Sequence, residues 1–437
     1  MTIALSQPLS KPNVTDTRKV RLTSRILHIG SAVSKLNPFE YVPKGQFVYI
    51  PNQEALAKTL RQRGFLDDYI YCIENREPVD ELLKKALGES WETLKTEDGS
   101  SIFPIEQRSL NWSPSKITDL RPMIRNGFGH HYIPGSSIKG AIRTAIAYHL
   151  LKDADKYRVP ESVQLSEIER NLRESIGELR QRKNQKSADN ARFMNELFTN
   201  FGLTYQGRQV KAEQGPNTDI MRAIHVSDSE PLIEKRIKHE GNRPTFKNLS
   251  VVNEVVISSR FPDYKAKYKA PIYAEMVFNV ETQFTLSLDH EMLARFRHKR
   301  HKRGMILPFE SVDDLLKICQ DFAQEQWDFE HDYWATIVNN PNARDRNVSK
   351  NLDFTYIQDF YQPKICPCTL RLGWGSGMMG TTINSLMPED LAALIRDVCA
   401  SPSNQAPGFE APKSRRTIMN SKGEIRYVPG WVKLEVL

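Results

Sequence analysis

Alternating apolar and polar positions mark the first strand of the chain. In residues 18–30, RKVRLTSRILHIG, every second position is taken by Val20, Leu22, Ser24, Ile26 and His28. Successive side chains of a β-strand point to opposite faces, so this spacing predicts a strand that places these five residues on one face. A second short strand is predicted at 45–51, followed by a helix at 52–64 with Asn52 as N-cap and Gly64 as terminator.

A longer alternating segment, AEMVFNVETQFTLSLD at 274–289, lies in the second half. Apolar residues and one threonine occupy every second position of this segment: Ala274, Met276, Phe278, Val280, Thr282, Phe284, Leu286 and Leu288. The pattern predicts one long strand, or two bent ones, with a buried face. Apolar residues at three- and four-residue steps predict helices at 138–151, 165–179, from 312 onward and near 388–400, and further strands are expected at 368–374 and 424–436. This mixture predicts an α+β fold in which small antiparallel sheets are covered by helices on one face.

The length of 437 residues exceeds what one hydrophobic core usually holds. We therefore expect a polar N-terminal arm at 1–17, a first domain at 18–260 with helical insertions at about 53–100 and 152–215, and a second domain at 261–437. No run of about 18 apolar residues is present, so no membrane contact is expected. The first residues also lack the apolar core of a signal peptide, which predicts a cytoplasmic protein.

The formal net charge of +8 favours a polyanionic partner, because cationic surfaces attract phosphate at long range. Charge alone does not separate RNA from DNA or from other acidic surfaces. The five cysteines are too scattered for a disulfide framework. Cys366 and Cys368 are spaced too closely for a zinc knuckle, and no second pair follows. We therefore expect reduced thiols and no cofactor.

The segment YIPGSSIKGAIRTA, from residue 132, predicts a Pro-Gly bend that opens a helix capped by Ser136 or Ser137. Lys139 and Arg143 lie four residues apart, so both emerge on one helix face near the free N–H groups of its first turn. Gly140 inside the helix suggests close approach by another backbone. A Walker A loop is excluded because Ala141 stands where its lysine is required. An ordinary capped helix with solvated cations remains the alternative.

A second glycine cluster, LRLGWGSGMMGTTI at 370–383, contains Gly373, Gly375, Gly377 and Gly380. Its G-x-G-x-x-G spacing is typical of a dinucleotide-binding fold, but too few residues follow Gly380 to complete one. Two interpretations stay open. The loop can let a phosphodiester backbone lie against peptide N–H groups, or it can be a flexible turn between a strand and a helix.

Taken in order, four segments resemble the RAMP superfamily of CRISPR-associated proteins: LHIGS, IPGSSIKGAIRTA, LRLGWGSGMMGTTI, and PKSRR followed by GWVKL. Their order most resembles the family of fifth subunits of the type III-A Csm complex. The resemblance implies ferredoxin-like (RRM-like) domains with helical insertions. It also implies a place at the end of a filament of other RAMP subunits, around the 3′ portion of the CRISPR RNA (crRNA), with target RNA as a further partner.

Carried over position by position, the resemblance implies that the RNA backbone is contacted by His28, Ile29, Gly30, Ser31, Gly135, Ser136, Ser137, Lys139, Arg143, Arg371, Gly373, Gly375 and Gly377. Contacts of this kind do not depend on base sequence. Such contacts suit a protein that carries guides of varied sequence.

Related backbone subunits cut target RNA with an aspartate in the loop after the first strand. The corresponding loop here, SAVSKLNPFEY, carries only Glu40 as an acid. His28, His130 and His131 remain as candidates for metal-free acid–base cleavage. We therefore expect a non-catalytic RNA-binding subunit. A RAMP endoribonuclease is the alternative, and a nucleotide-binding enzyme that uses the glycine cluster is a third hypothesis.

Two further segments leave alternatives open. The basic run RFRHKRHKRG at 295–304 is either an RNA contact or a solvated loop. WDFEHDYWATI at 327–337 combines aromatic and acidic residues. It predicts a helix face or partner surface, with base stacking as the alternative.

Overall fold

The computed structural model describes residues 14–180, 195–210, 215–239, 242–260, 265–268, 271–298, 304–345, 348–399 and 411–437. Most of the predicted N-terminal arm, the polar segment after Arg180 and half of the basic run at 295–304 lie outside these residues. The helices are α1 (Gln53–Gln62), α2 (Leu66–Asn75), α3 (Asp80–Leu87), α4 (Gly135–Lys152), α5 (Leu165–Arg180), α6 (Asn195–Thr199), α7 (His290–Arg295), α8 (Val312–Thr336), α9 (Thr355–Tyr361), α10 (Gly377–Thr381) and α11 (Glu389–Cys399).

The strands are β1 (Thr15–Leu27), β2 (Val42–Lys44), β3 (Phe47–Tyr49), β4 (Arg108–Asn111), β5 (Phe201–Tyr205), β6 (Arg208–Val210), β7 (Ile224–Val226), β8 (Lys235–His239), β9 (Asn242–Lys247), β10 (Leu249–Arg260), β11 (Ala266–Tyr268), β12 (Ile272–Asp289), β13 (Phe296–His298), β14 (Asn340–Asp345), β15 (Val348–Leu352), β16 (Leu370–Arg371), β17 (Ser414–Met419), β18 (Ile425–Tyr427) and β19 (Trp431–Val436). The long strand predicted at 274–289 is therefore one strand, β12. The strand predicted at 368–374 is only two residues long.

The two strands predicted from alternation are neighbours in the sheet. β1 and β12 pair antiparallel, with Val20 opposite Phe284 and Leu22 opposite Thr282. The predicted buried face of β1 is confirmed, since Ser24 and His28, its two polar members, are also less than a tenth exposed. The first half of β12, which includes Glu275, is buried on both faces, whereas its second half alternates.

Most described strands belong to one large mixed sheet, whose main path runs β16-β19-β1-β12-β10-β4-β3-β2. The pairing of β10 with β4 is parallel, and the other pairs on this path are antiparallel. The fold class is α+β, but the main sheet is large and mixed, and the small antiparallel sheets in the described residues are β13-β5-β6, β14-β15 and β8-β9. Strands from both predicted domains pair within the main sheet, so the expected boundary after residue 260 does not separate two independent sheets.

Helices α4 and α8 pack against β1 and β12, and their apolar side chains share the largest core cluster. Helices α1 to α3 bury a separate cluster around Trp91, so the predicted insertion at 53–100 has a small core of its own. Asn52 caps α1 as predicted, since its Oδ1 accepts a hydrogen bond from the N–H of Ala55 at 3.1 Å. Within the described ranges, no helix combines the length and the apolar character needed to cross a membrane.

Candidate nucleic-acid interface

Three of the segments singled out from the sequence meet where β1 ends. The backbone N–H of Trp374, in the glycine cluster, donates to the carbonyl oxygen of His28 at 3.0 Å. Ile29 after β1, Ile138 of α4 and Leu372 of the glycine cluster belong to the same core cluster, and α10 packs against α4. One end of the sheet therefore brings together LHIGS, the start of α4 and the glycine cluster.

The glycines of the cluster permit close packing of protein on protein. Gly373 has φ +76°, and a Cβ added there would lie 2.3 Å from the carbonyl oxygen of His28. Gly375 has φ +107°, and its added Cβ would lie 2.6 Å from Cγ of Pro429. Only glycine fits such a combination of positive φ and close contact. Gly377 also has a positive φ, +69°, but nothing lies within 4 Å of its added Cβ. Other protein segments therefore pack against the loop at Gly373 and Gly375, whereas the space beside Gly377 is unoccupied by protein atoms of the described residues.

A buried ionic network lies beneath this loop, centred on Glu275 of β12. Its carboxylate accepts two hydrogen bonds of 2.6 Å from Arg125, one of 2.7 Å from Ser109 Oγ and one of 3.1 Å from the N–H of Met123. Nε2 of His131 lies 3.4 Å from it. Burial acts to raise the pKa of Glu275, but Arg125 and His131 together outweigh burial and hold that pKa well below its usual range.

Two buried histidines belong to this network. Nδ1 of His28 lies 2.6 Å from the backbone oxygen of Glu275. Burial lowers the pKa of His28 to about 4, and burial likewise lowers the pKa of His131. Both side chains are less than 5% exposed, so neither ring can reach a substrate. Of the three histidines considered for catalysis, His130 alone is partly exposed.

The predicted capping of α4 by a serine is wrong. The helix begins at Gly135, and neither Ser136 nor Ser137 caps it. The N–H of Gly135 instead donates to Oδ1 of Asp228 at 2.7 Å, and a Cβ on Gly135 would lie 2.3 Å from the oxygen of Val226. The side chain of Asp228, which is distant in sequence, therefore accepts a hydrogen bond from the first turn of α4, where we expected a serine hydroxyl of the same turn to act as the cap.

The close approach expected at Gly140 is also not observed, because nothing lies within 4 Å of a Cβ added there. The two cations of α4 differ in their surroundings. Arg143 pairs with Asp219 at 2.6 Å and lies 3.9 Å above the ring of Phe198. Lys139 is partly buried and, within the described ranges, has no ion-pair partner. Burial lowers the pKa of Lys139, partly opposed by Asp219.

Arg371 does not reach the surface as an RNA contact would require. It is 4% exposed, and its Nη1 lies 3.3 Å from Glu330 of α8. Arg415 lies 3.0 Å from the same carboxylate. The guanidinium of Arg371 therefore belongs to a buried ion-pair cluster beneath the interface.

The family comparison agrees with this arrangement. The model of the RAMP superfamily matches residues 19–346. The chain belongs to the RAMP superfamily.

Two solved structures resemble this RAMP-superfamily chain over nearly its whole length. A chain in the cryo-EM structure of a Csm–crRNA–target RNA ternary complex of a type III-A CRISPR-Cas system has 22% sequence identity and a TM-score of 0.59, with 96% of this chain and 100% of that chain covered. The crystal structure of T. onnurineus Csm5 has 19% identity and a TM-score of 0.52, with the same coverage. At these identities the likeness shows a shared fold. No curated protein matches the chain.

Sequence reasoning missed two arginines of the RAMP-superfamily chain that flank Trp374. The guanidinium carbon of Arg121 lies 5.3 Å from the centroid of the indole ring, and that of Arg416 lies 4.6 Å from it. Arg416 ends the PKSRR segment that contributed to the resemblance, but nothing in its local pattern indicated where it points. Arg121 lies in an irregular segment and carries no periodic signal.

The aromatic segment at 327–337 is part of α8. Trp327, Tyr333 and Trp334 are each at most 3% exposed, so this segment is a buried helix face and does not stack on bases. Glu40, the one acid of the loop after β1, accepts hydrogen bonds from the backbone and side chain of Asn37. Across the described part of the chain, no group of three or more His, Cys, Asp or Glu residues is arranged to hold a metal ion.

Proposed function

We propose that the protein is a non-catalytic RNA-binding subunit of a cytoplasmic type III CRISPR effector complex, built on ferredoxin-like units. It holds the backbone of the crRNA toward its 3′ end and caps the filament of RAMP subunits. The observation that carries this proposal is the meeting of LHIGS, the start of α4 and the glycine cluster at one end of the sheet. These are the segments from which RNA contact was expected.

The exposed groups at this end suit a ribose-phosphate ligand. Gly30 and Ser136 are exposed, and the space around Gly377 is open, so a backbone can lie close to peptide groups there. Lys139 adds a cation that no carboxylate neutralises by direct pairing among the described residues. Because such contacts involve phosphate and sugar, they hold guides of any sequence.

The proposed partners are crRNA, target RNA and other RAMP subunits. Their support is the similarity to a chain from a structure of a Csm–crRNA–target RNA complex. A full-length likeness to both solved structures is consistent with a subunit of the same assembly.

The absence of catalysis is proposed from the positions of the candidate groups. General acid–base catalysis requires a side chain within hydrogen-bond reach of the substrate. His28 and His131 are buried, and Glu40 is engaged with Asn37. The alternative, a RAMP endoribonuclease, would depend on His130.

The test uses purified protein, labelled crRNA and a range of salt concentrations, with and without a divalent metal. We expect a gel shift without cleavage. The variant Lys139→Gln should weaken binding of all guide sequences equally. It should also reduce the steepness of the plot of log K against log salt concentration by about one, because one phosphate contact is lost. Lys152→Gln is the matched control, because Lys152 lies on the same helix but is exposed and pairs with Glu325 at 3.4 Å.

Other results would contradict the proposal in distinct ways. Cleavage that is lost in His130→Ala would establish the endoribonuclease. Mononucleotides that compete as strongly as RNA would favour the third hypothesis, a nucleotide-binding enzyme. Failure of crRNA and sister RAMP subunits to copurify with the protein would contradict a place in the complex.

A further inference from the structure

Arg121 and Arg416 flank one aromatic ring and come from different parts of the fold. Arg416 lies on β17, where it is opposite Ile257 of β10. Arg121 lies beside β12, since its N–H donates to the oxygen of Tyr273 at 2.9 Å. Its Nη1 also points toward the loop after β1 and lies 3.4 Å from the oxygen of Ser34. Both side chains are partly exposed, so a ligand can reach them.

Neither guanidinium has a counter-ion among the described residues. Within the described ranges, Arg121 and Arg416 form no ion pair, and the Nε atom of each is buried without a hydrogen-bond partner. Burial lowers the pKa of Arg416, and the charges of Arg121 and Arg371 lower it further. The nearby carboxylate of Glu330 is already shared by Arg371 and Arg415. Its ion-pair partners in the described part of the chain are Arg371 and Arg415, and neither Arg121 nor Arg416 pairs with it.

Such an arrangement costs free energy in the absence of a ligand. Like charges repel, and partly buried charges lose hydration that nothing replaces. An anion that contacts both guanidiniums beside the ring reduces both costs and supplies acceptors for their N–H groups. Guanidinium and phosphate form short, charge-assisted hydrogen bonds, often two at once.

We propose that Arg121 and Arg416 together bind a single phosphodiester group of RNA beside the ring of Trp374. The choice of RNA rests on the proposed function and on position, because Trp374 belongs to the glycine cluster and Arg121 contacts the loop that follows LHIGS. The pair is an anion site in its own right, and its chemistry can be tested without RNA.

The first test measures thermal denaturation of the RNA-free protein with and without inorganic phosphate, at constant ionic strength. Phosphate should raise the Tm of the wild type. Arg416→Met keeps the aliphatic stem over Trp374 and removes one of the two like charges. Its Tm without phosphate should therefore equal or exceed that of the wild type, and phosphate should no longer raise it.

Arg426→Met is the matched control, since Arg426 stacks on Tyr356 at 3.9 Å and pairs with Glu424 at 3.3 Å. It should keep the full phosphate effect. A lower Tm for Arg416→Met without phosphate, or an undiminished rise with phosphate, would overturn the proposal and assign Arg416 a structural role.

The second test repeats the crRNA titration with Arg121→Met and Arg416→Met. Each should weaken binding about tenfold, which corresponds to one lost charge-assisted contact, for every guide sequence alike. Wild-type affinity in both variants would overturn the arginine pair while leaving the proposed function intact. The opposite outcome is also possible to distinguish. If phosphate raises the Tm only when both arginines are present, but the wild type binds no crRNA, the anion site is supported and the proposed function is contradicted.

Discussion

Arg125 and Glu275 form a bidentate ion pair in which both guanidinium-to-carboxylate distances are 2.6 Å. The pair joins the irregular segment around residues 121–131 to β12, directly beneath the loop that carries Trp374. His28 is attached to the same point through the backbone oxygen of Glu275. The candidate interface therefore rests on a buried polar network, and its geometry depends on the charge of one carboxylate.

Glu275→Gln should be strongly destabilising. The change removes the partner of a buried guanidinium, and breaking a buried pair from one side typically costs about 3–5 kcal/mol. We expect a loss of that order in the free energy of unfolding, measured by urea denaturation. Glu291→Gln is the control, because Glu291 is mostly exposed and pairs with Arg295 within one helix turn. It should change the free energy by less than about 0.5 kcal/mol.

The stability of the protein should fall as pH decreases from about 6.5 to 4. In that window the unfolded state binds a proton on His28 and the folded state does not, because burial lowers the pKa of His28 to about 4. Each such proton contributes a slope of about 1.4 kcal/mol per pH unit. The lowered pKa of Glu275 has the same effect, because it also makes the folded protein less stable as the pH falls below the pKa that this carboxyl has in the unfolded state.

His28→Asn should reduce this slope by about one proton, since an amide can donate to the oxygen of Glu275 without titrating. The measurement is urea denaturation at pH 4.5, 5.5 and 6.5. His331→Asn, at a partly exposed position, is the control variant for the same measurement. An equal slope in wild type and His28→Asn would contradict the assignment of His28 as a buried neutral group.

Gly373→Ala should destabilise the interface far more than Gly377→Ala. Both glycines have positive φ, which costs a non-glycine residue about 1–2 kcal/mol. Only at Gly373 does the added methyl group also meet the carbonyl oxygen of His28. We expect a lower Tm and reduced crRNA binding for Gly373→Ala, and only the smaller conformational cost for Gly377→Ala. Equal effects of the two substitutions would show that the contact with His28 is not limiting.

Gly140→Ala should stabilise the protein. Gly140 lies inside α4, is exposed and has no atom within 4 Å of an added Cβ. Alanine is better than glycine in a helix interior by about 1 kcal/mol. A gain of that size in urea denaturation is expected. A loss of crRNA affinity in the same variant would indicate that RNA approaches the helix at this position.

The sequence allowed the strands with regular alternation to be predicted, because burial on one face imposes a period of two. It did not indicate that β1 and β12 pair, since they lie in opposite halves of the chain. The strand predicted at 368–374 is shorter than expected because Gly373 and Gly375 adopt positive φ. The large mixed sheet was not expected either, because the long-range pairing that builds it is not visible in local patterns.

The candidate site could be predicted only to the level of segments. LHIGS, the start of α4 and the glycine cluster were singled out, and the structure brings them together. The surroundings of each individual side chain could not be predicted, because they depend on residues that are distant in the sequence. Arg371 pairs with Glu330 and Arg143 pairs with Asp219, whereas Arg416 forms no ion pair with any carboxylate that the structure describes. Charge alone therefore did not distinguish a structural arginine from a cation that is free to bind a ligand.

The hydrogen bond between the N–H of Gly135 and Asp228 also has a consequence for how this chain can vary. A second bond, from the N–H of Ile133 to Oγ of Ser229, lies beside it at 2.9 Å. Together they join the start of α4 to the residues after β7, so the ends of the intervening segment are held at adjacent points. Lengthening a loop within a segment whose ends are already joined costs little free energy. A loop between α4 and β7 can therefore change in length while the end of the sheet keeps its shape.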